Sequence, residues 1–596
     1  MKKPVYFLSI LLFALSLNGN AQPPVLKSLP EHNVRKDELT RYYLKPQRIV
    51  WTSDTTGTKI RNLDVLLKPG EEQAAFHISK DQYCTITNSD GDITGFILDF
   101  GKEIQGGIQL TTCISNRVTR HIRVRFGESV AETCSDVIGD GTTGLKGGAT
   151  NHHAMRDFVA ELPGYGTREF GESGFRFVRI DLLDSACDLR LMAVQAYATF
   201  RDVPYLGSFE CSDQRLNDIW MTGAYTVHLN MQEYLWDGIK RDRMVWLGDM
   251  HPEVITLASV FGYNPVVPKS LDFVRDRTPL PQWMNGISSY SMWWVNIQHD
   301  WYQLTGDLDY LKSQQQYLER LLDLFLTKVD SSGQENLYSD GFRFLDWPSS
   351  KNEPAVHAGL QALLAMTFEK GAKLCRVLGD SANAQTYEKM AVKMKANSPD
   401  MANSKQAAAL LTLAGIVPAE KADKDVIAVG GAKGFSTFYG YYMLQAMAKA
   451  GDYNNALDII RNYWGGMLDL GATSFWEDFN MDWLKNAAPI DEMVPKGKVD
   501  VHAAYGDYSY IGYRKSLCHG WASGPTAWLS QHVLGIEVLE PGCKTVRISP
   551  HLGDLQWAKG TFPTPYGVIS VSHKKMPDGT TQTTYDAPSE IKIIQN

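Results

Sequence analysis

The spacing of apolar residues changes twice along this chain, and those two changes set what it can fold into. Up to about residue 205, apolar side chains recur at every second position. Phe96, Leu98 and Phe100 do so in GFILDFGKEIQGGIQLTT, and Ile122, Val124 and Phe126 do so in HIRVRFGES. GFRFVRIDLL and LRLMAVQAYATF follow the same pattern. Period two punctuated by glycine predicts strands, here a β-sandwich. From about 206 to 535 the steps lengthen to three and four. SDQRLNDIWMTGAYTVHLNMQEYL opens on Ser212 as a candidate N-cap. AVHAGLQALLAMTFEKGAKLCRVLGDSANAQTYEKMAVKMKANS reads as two helices broken at Gly379-Asp380, and the next hairpin breaks at Gly451-Asp452. Successive hairpins predict a toroid of inner and outer helices or an α-solenoid. No fixed repeat period is present, which weighs against the solenoid. From about 536 to 596 period two returns, in a segment too short to stand alone. It is expected to pack as a small sandwich against the helices.

A chain of 596 residues exceeds one hydrophobic core, in keeping with this division. The first 21 residues form a further segment. MKKPVYFLSILLFALSLNGNAQ carries two lysines, an apolar run from Val5 to Leu17 and small residues before Gln22. That pattern predicts a secretory signal peptide cut after Ala21, leaving 22–205, 206–535 and 536–596 as the mature domains. The apolar run is too short for a membrane span, and no later segment is apolar enough for one. A periplasmic or extracellular location is expected. The net charge of −8 comes without a basic stripe, which argues against nucleic acid as a partner. Eight cysteines form no CxxC pair, so no structural zinc is signalled; a Cys113–Cys134 bridge is one of several pairings left open. His152 and His153, in the loop GDGTTGLKGGATNHH, have no cysteine or carboxylate at ligand spacing, and neither a metal nor a cofactor is expected. The oligomeric state is left open.

WDGIKRDRMVWLGDMHPE, from Trp236 to Glu253, concentrates Asp237, Asp242, Asp249 and Glu253 with Lys240, Arg241, Arg243 and Trp246. One reading is a connecting loop whose charges pair among themselves. The other is a polar ligand site: carboxylates bind vicinal hydroxyls, arginine orders the carboxylates, and an indole stacks on the apolar face of a ring. Hydrolysis of an acetal needs a protonated acid for the leaving oxygen and a second carboxylate to activate water or attack the anomeric carbon. Crowded carboxylates help, because like charges keep one member protonated. The best distant partner is Glu477, between Trp476 and Asp478 in LGATSFWEDFNMDW. Three more aromatic stretches stand out: SLCHGWASGPTAWL with His519 and Trp521, GFRFLDWPSSKNEP with Asp346 and Trp347, and SMWWVNIQHDWYQLTGDLDYL with Trp293, Trp294 and Trp301. Each tryptophan alone suits a core. Together, at the expected ends of helices, they predict one aromatic-lined pocket.

These residues resemble glycoside hydrolase family 78, the α-L-rhamnosidases, over nearly the whole mature chain. DGIKRDRMVWLGD keeps that family's Asp237, Arg241, Arg243, Trp246, Gly248 and Asp249 in register, and GATSFWE matches its second motif. The resemblance implies an (α/α)6 barrel flanked by N-terminal and C-terminal β-sandwich domains. It implies Asp242 as general acid, Glu477 as base, and inversion at the anomeric carbon. Asp237, Arg241, Asp249 and His519 are expected to hold the sugar, with Trp246, Trp294 and Trp347 as walls. Two departures stand out. Gly238-Ile239 replaces a Cys-Pro pair, and Asp242 stands where the family has glutamate. Either the backbone comes closer, the sugar sits differently, or Glu253 or Glu233 delivers the proton. The expected activity is removal of terminal α-L-rhamnose from plant or algal glycan fragments. Another deoxy or acidic sugar, or carbohydrate binding without catalysis, are the alternatives.

Overall fold

The computed structural model describes residues 25, 36–68, 73–75, 78–113, 118–137, 150–508 and 510–595. The leader predicted over 1–21 and residues 139–149 of the glycine-rich loop lie outside the described residues.

The strands between Leu39 and Arg201 form one antiparallel sheet, threaded by three long strands: Thr94–Thr112, Gly166–Leu182 and Cys187–Arg201. The first of these breaks register between Asp99 and Ile104 and again at Gly106/Gly107. Such bulges bend a strand, and the described strands of this region are all hydrogen-bonded into one sheet. Its core takes every second residue, with Phe96, Leu98, Ile122, Val124, Val178 and Ile180 packed together. Ile97 and Phe177 point the other way, against Val130.

The middle region is helical, and two kinds of helix alternate in it. Met250–Phe261, Ser288–Thr305, Glu353–Val377, Lys405–Leu413 and Gly440–Lys449 are buried on most sides. Val266–Arg277, Leu308–Leu326, Ser381–Lys395 and Tyr453–Asp469 bury one face only. On Leu308–Leu326 that face is Leu311, Leu318, Leu321, Leu322 and Phe325, each contributing about 1.5–3 kcal/mol by burial. The expected breaks at Gly379 and Gly451 are present, both with positive φ. Asp380 caps Ser381–Lys395 by accepting from Asn383 N at 3.0 Å. Ser212 does not cap the first helix. Asp213 does, accepting from Arg215 N at 2.9 Å, because the Ser212 hydroxyl is taken by Gln556 N at 2.9 Å.

That contact crosses into the C-terminal β region, which holds a three-stranded and a four-stranded sheet. The edge strand of the latter is Ser208–Cys211, paired with Trp557–Thr564. In space, therefore, the start of the helical segment belongs to the C-terminal sheet. Among the described residues, no helix is long and apolar enough to cross a membrane. Among the described residues Cys113 and Cys134 are not bridged to each other.

Candidate active site

The stretch 236–249 links helix Gln214–Asn230 to helix Met250–Phe261 and has no regular structure of its own. A reciprocal pair of bonds closes it: Asp237 N donates to Met244 O, and Met244 N to Asp237 Oδ1, both at 3.0 Å. Between them Asp242 and Arg243 take left-handed φ values of 50° and 56°. Two consecutive non-glycine residues in that region store strain, of order 1–3 kcal/mol each. The reversal turns the charged side chains outward from the loop. Asn285 pins the following residues, donating to Val245 O and accepting from Leu247 N, each at 3.0 Å. Gly248 lies so close to Tyr290 that a Cβ would sit 2.2 Å from its ring. This is a physical reason for glycine there.

Residues 475–477 form the other half of the site. Phe475 O accepts from His519 N at 2.8 Å and Glu477 N donates to Ser516 O at 2.9 Å, so the two motifs lie side by side. Gly238 bridges to His519, and Gly520 N donates to Asp237 O at 2.8 Å. Three distant segments are thus laced together by main-chain bonds. The Glu477 carboxylate is buried. Its Oε2 accepts from Ser516 N at 2.9 Å and its Oε1 from Arg241. The same guanidinium presents Nε at 3.7 Å to Asp242 Oδ1, so one cation stands between the two candidate catalytic carboxyls.

These groups line a cavity of about 350 Å³. Asp237, Arg241, Asp242, Asp249, Glu477 and His519 form its polar wall, and Trp246 and Trp347 stand among its aromatic residues. Trp294 does not reach it. That side chain is fully buried one turn deeper, with Nε1 at 3.4 Å from Leu271 O and its ring edge-on to Tyr317. It fills the space between outer helices instead. Tyr290, four residues earlier, lines the cavity and donates to Asp249 Oδ1 at 2.9 Å. Asn285, Phe342, Phe344, Arg514 and Trp521 also line the cavity. Phe342 and Phe344 lie inside a stretch that stands out for Trp347, and Tyr290 immediately precedes the stretch with Trp293 and Trp294; Asn285 and Arg514 carry no local signal. Neither Glu253 nor Glu233 lines the cavity, whereas Asp237, Asp242 and Asp249 do.

Burial dominates the electrostatics. It pushes Asp237 well above the usual carboxylate range, with Asp242 and Asp249 adding to the effect and the Met244 N–H opposing it. Asp249 is raised for the same reason, against the donors His519 Nε2 at 3.1 Å and Tyr290 OH. Glu253, beneath both, is pushed well above its ordinary value by burial and by those two neighbours. Its oxygens have no hydrogen-bond partner among the described residues. A protonated carboxyl suits such a position.

A larger cavity of about 610 Å³ lies between the helices and the C-terminal sheets, lined by His251, Tyr441, His532 and His551 among others. None of the candidate catalytic residues reaches it. Outside both cavities, Glu128, Glu132 and His502 form a buried cluster with the spacing of metal ligands. The Lys240 ammonium stands among them, at 2.9 Å from Glu128 and 3.2 Å from Glu132, and supplies the positive charge itself.

The family model described as the bacterial alpha-L-rhamnosidase 6 hairpin glycosidase domain matches residues 204–533, and that of the bacterial alpha-L-rhamnosidase C-terminal domain matches 535–593. A protein of Alteromonas sp. (strain LOR) called alpha-L-rhamnosidase is 24% identical over 535 residues, covering 81% of this chain and 54% of its own. Among solved structures, the family 78 rhamnosidase of Bacillus sp. GL1 superposes with a TM-score of 0.69 at 21% identity, over 90% of this chain and 55% of that one. A Klebsiella oxytoca rhamnosidase with rhamnose bound gives 0.63 at 19% identity, over 83% of this chain and 96% of that one. The chain spans about half the length of the Alteromonas and Bacillus proteins.

Proposed function

Since the chain belongs to the bacterial α-L-rhamnosidase six-hairpin glycosidase family, we propose that it is a secreted, inverting, exo-acting hydrolase that removes terminal α-L-rhamnose from plant or algal glycan fragments. The observation that carries this reading is the meeting of Asp242 and Glu477 at one guanidinium in an aromatic-walled cavity. A volume of about 350 Å³ lies at the small end of ligand sites, roughly 300–1,000 Å³, and suits one or two sugar rings.

In this mechanism Asp242 gives its proton to the glycosidic oxygen as the bond to the anomeric carbon breaks. Glu477 takes a proton from the water that attacks the opposite face, and the configuration inverts. Arg241 holds Glu477 and balances its charge. Burial favours the neutral form of Asp237, and it and Asp249 with His519 are placed to hydrogen-bond sugar hydroxyls. Trp246, Trp347 and Trp521 pack against the ring's apolar faces.

Glu477→Gln and Asp242→Asn should each cut turnover of an aryl α-L-rhamnoside by roughly 10²–10⁴-fold, with unchanged far-ultraviolet circular dichroism. A wild-type rate in either variant removes that residue from its role. Proton NMR of the fresh product should show β-L-rhamnose first. The aspartate at position 242 favours a second reading, in which the glycone is another deoxy or acidic sugar. Assays on a panel of oligosaccharides that never release rhamnose would select it.

A further inference from the structure

The family pattern puts a glutamate where this chain has Asp242, and the structure provides a neighbour for the shorter side chain. His153 comes from the N-terminal β region, far from the helices in sequence. Its Nε2 lies 3.3 Å from Asp242 Oδ1, and its side chain is 18% exposed, so water competes little for the contact. That nitrogen is buried and makes no hydrogen bond among the described residues; it stands close to Asp242 Oδ1 but outside hydrogen-bond geometry. The other carboxyl oxygen, Oδ2, accepts from Trp246 Nε1 at 3.0 Å.

The loop that delivers His153 is held firmly. Asn151 Oδ1 accepts from the main-chain N–H groups of Arg156 and Asp157, both at 3.0 Å, and Asn151 Nδ2 donates to Asp157 O at 2.8 Å. The buried Arg156 guanidinium donates to Ser135 O at 2.6 Å and Glu132 O at 3.1 Å. The segment that carries Asp242 is gripped from the same side. Arg243 pairs with Glu172, and Lys240 pairs with Glu128 and Glu132. The N-terminal sheet thus holds the residues on both sides of Asp242, and His153 faces Asp242 itself.

We propose that His153 is a positioning residue for the proton donor, its unpaired, buried Nε2–H turning to bind Asp242 Oδ1 when substrate is bound, while the Trp246 indole binds Oδ2. The proposal rests on Asp242 being the acid. When Asp242 gives its proton to the glycosidic oxygen, the electron pair of the breaking C–O bond stays on that oxygen and a carboxylate remains on Asp242. The Trp246 indole and the incoming His153 Nε2–H then meet a charge that exists only after transfer, the kind of interaction that lowers a barrier. His153 neither gains nor loses a proton in the step. Burial holds its imidazole down to about 4, with the Asp242 carboxylate opposing and His152, Arg514 and Arg241 reinforcing, so it acts as a neutral donor.

The test compares His153→Leu, His153→Gln and Asp242→Asn on phenyl and 4-nitrophenyl α-L-rhamnosides. Proton donation matters most for the poorer leaving group, phenol. His153→Leu should lose roughly 10- to 100-fold in kcat/KM on the phenyl substrate, the span of one charge-assisted hydrogen bond, and less on the nitrophenyl one. His153→Gln keeps an N–H and should recover most of this loss. If Asp242→Asn shows the leaving-group signature and His153→Leu does not, or if glutamine fails to rescue, the role of His153 is wrong while Asp242 remains the acid. If Asp242→Asn loses activity equally on both substrates, the acid assignment itself fails and takes the His153 proposal with it.

Discussion

At the scale of single residues, Glu253 shows how burial changes the behaviour of a charge. Its folded-state pKa is raised, so its contribution to stability is full below the ordinary carboxylate range and declines as pH rises above it. Glu253→Gln removes the ionisation at little cost in shape. We expect the variant to match the wild type near pH 4 and to become progressively more stable than it above that. The gap should grow by about 1.4 kcal/mol for each pH unit over which the wild type must stay protonated. Denaturant melts across pH check this; parallel curves would show that Glu253 ionises freely in the fold. Asp237, Asp242, Asp249 and Glu253 could be singled out in the sequence because they crowd one short segment. Their environments could not, since burial is set by packing from remote elements. Arg514 and His153 carried no local signal of nearness to Asp242, for the same reason.

At the scale of elements, helix Ser288–Thr305 shows what a periodic pattern leaves undetermined. Tyr290, Trp293 and Trp294 are all buried aromatics on one helix. The sequence pattern identifies the helix but not which turn opens onto the cavity. Tyr290 does so near the helix start, Trp293 stacks on His251 and Tyr442 at 4.8 Å, and Trp294 packs outward. Tyr290→Phe, which deletes the donor to Asp249, should lower kcat/KM roughly 10- to 100-fold. Trp294→Phe should cost about 1–3 kcal/mol of stability and leave kcat/KM alone. Kinetics and melts on the two variants separate these roles, and a reversed pattern would return Trp294 to the site. The first helix's cap was misread for a related reason: Ser212 and Asp213 are both good N-caps, and only the distant Gln556 decides between them.

At the scale of the whole molecule, the N-terminal sheet acts as a jig for the helical loops. Arg176 donates to Gly471 O at 3.0 Å, Glu103 N to Thr473 Oγ1 at 2.9 Å, and Leu517 N to Glu128 Oε2 at 2.7 Å. With the Arg243–Glu172 and Lys240–Glu128 pairs, both candidate motifs are braced by this N-terminal region. The order of β, helical and β regions was legible because period two and period 3.6 are local properties. The bracing was not, since it depends on charges hundreds of positions apart. Lys240→Met would strand Glu128 and Glu132 as buried like charges, and should cost about 3–5 kcal/mol in chemical denaturation. Adding Glu128→Gln should restore part of that loss; strict additivity of the two changes would disprove the coupling.

The strand Ser208–Cys211 also sets a schedule for synthesis. The Ser208 hydroxyl meets that of Thr561, 353 positions later in the chain. At about 5–20 residues per second, a ribosome needs roughly 20–70 s to make the partner of this strand after the strand itself has emerged. Throughout that interval the start of the helical region is an open β edge, a ready template for mispairing. A circular permutant that joins the two strands in sequence would close the edge as soon as it forms, and should yield more soluble protein at high expression.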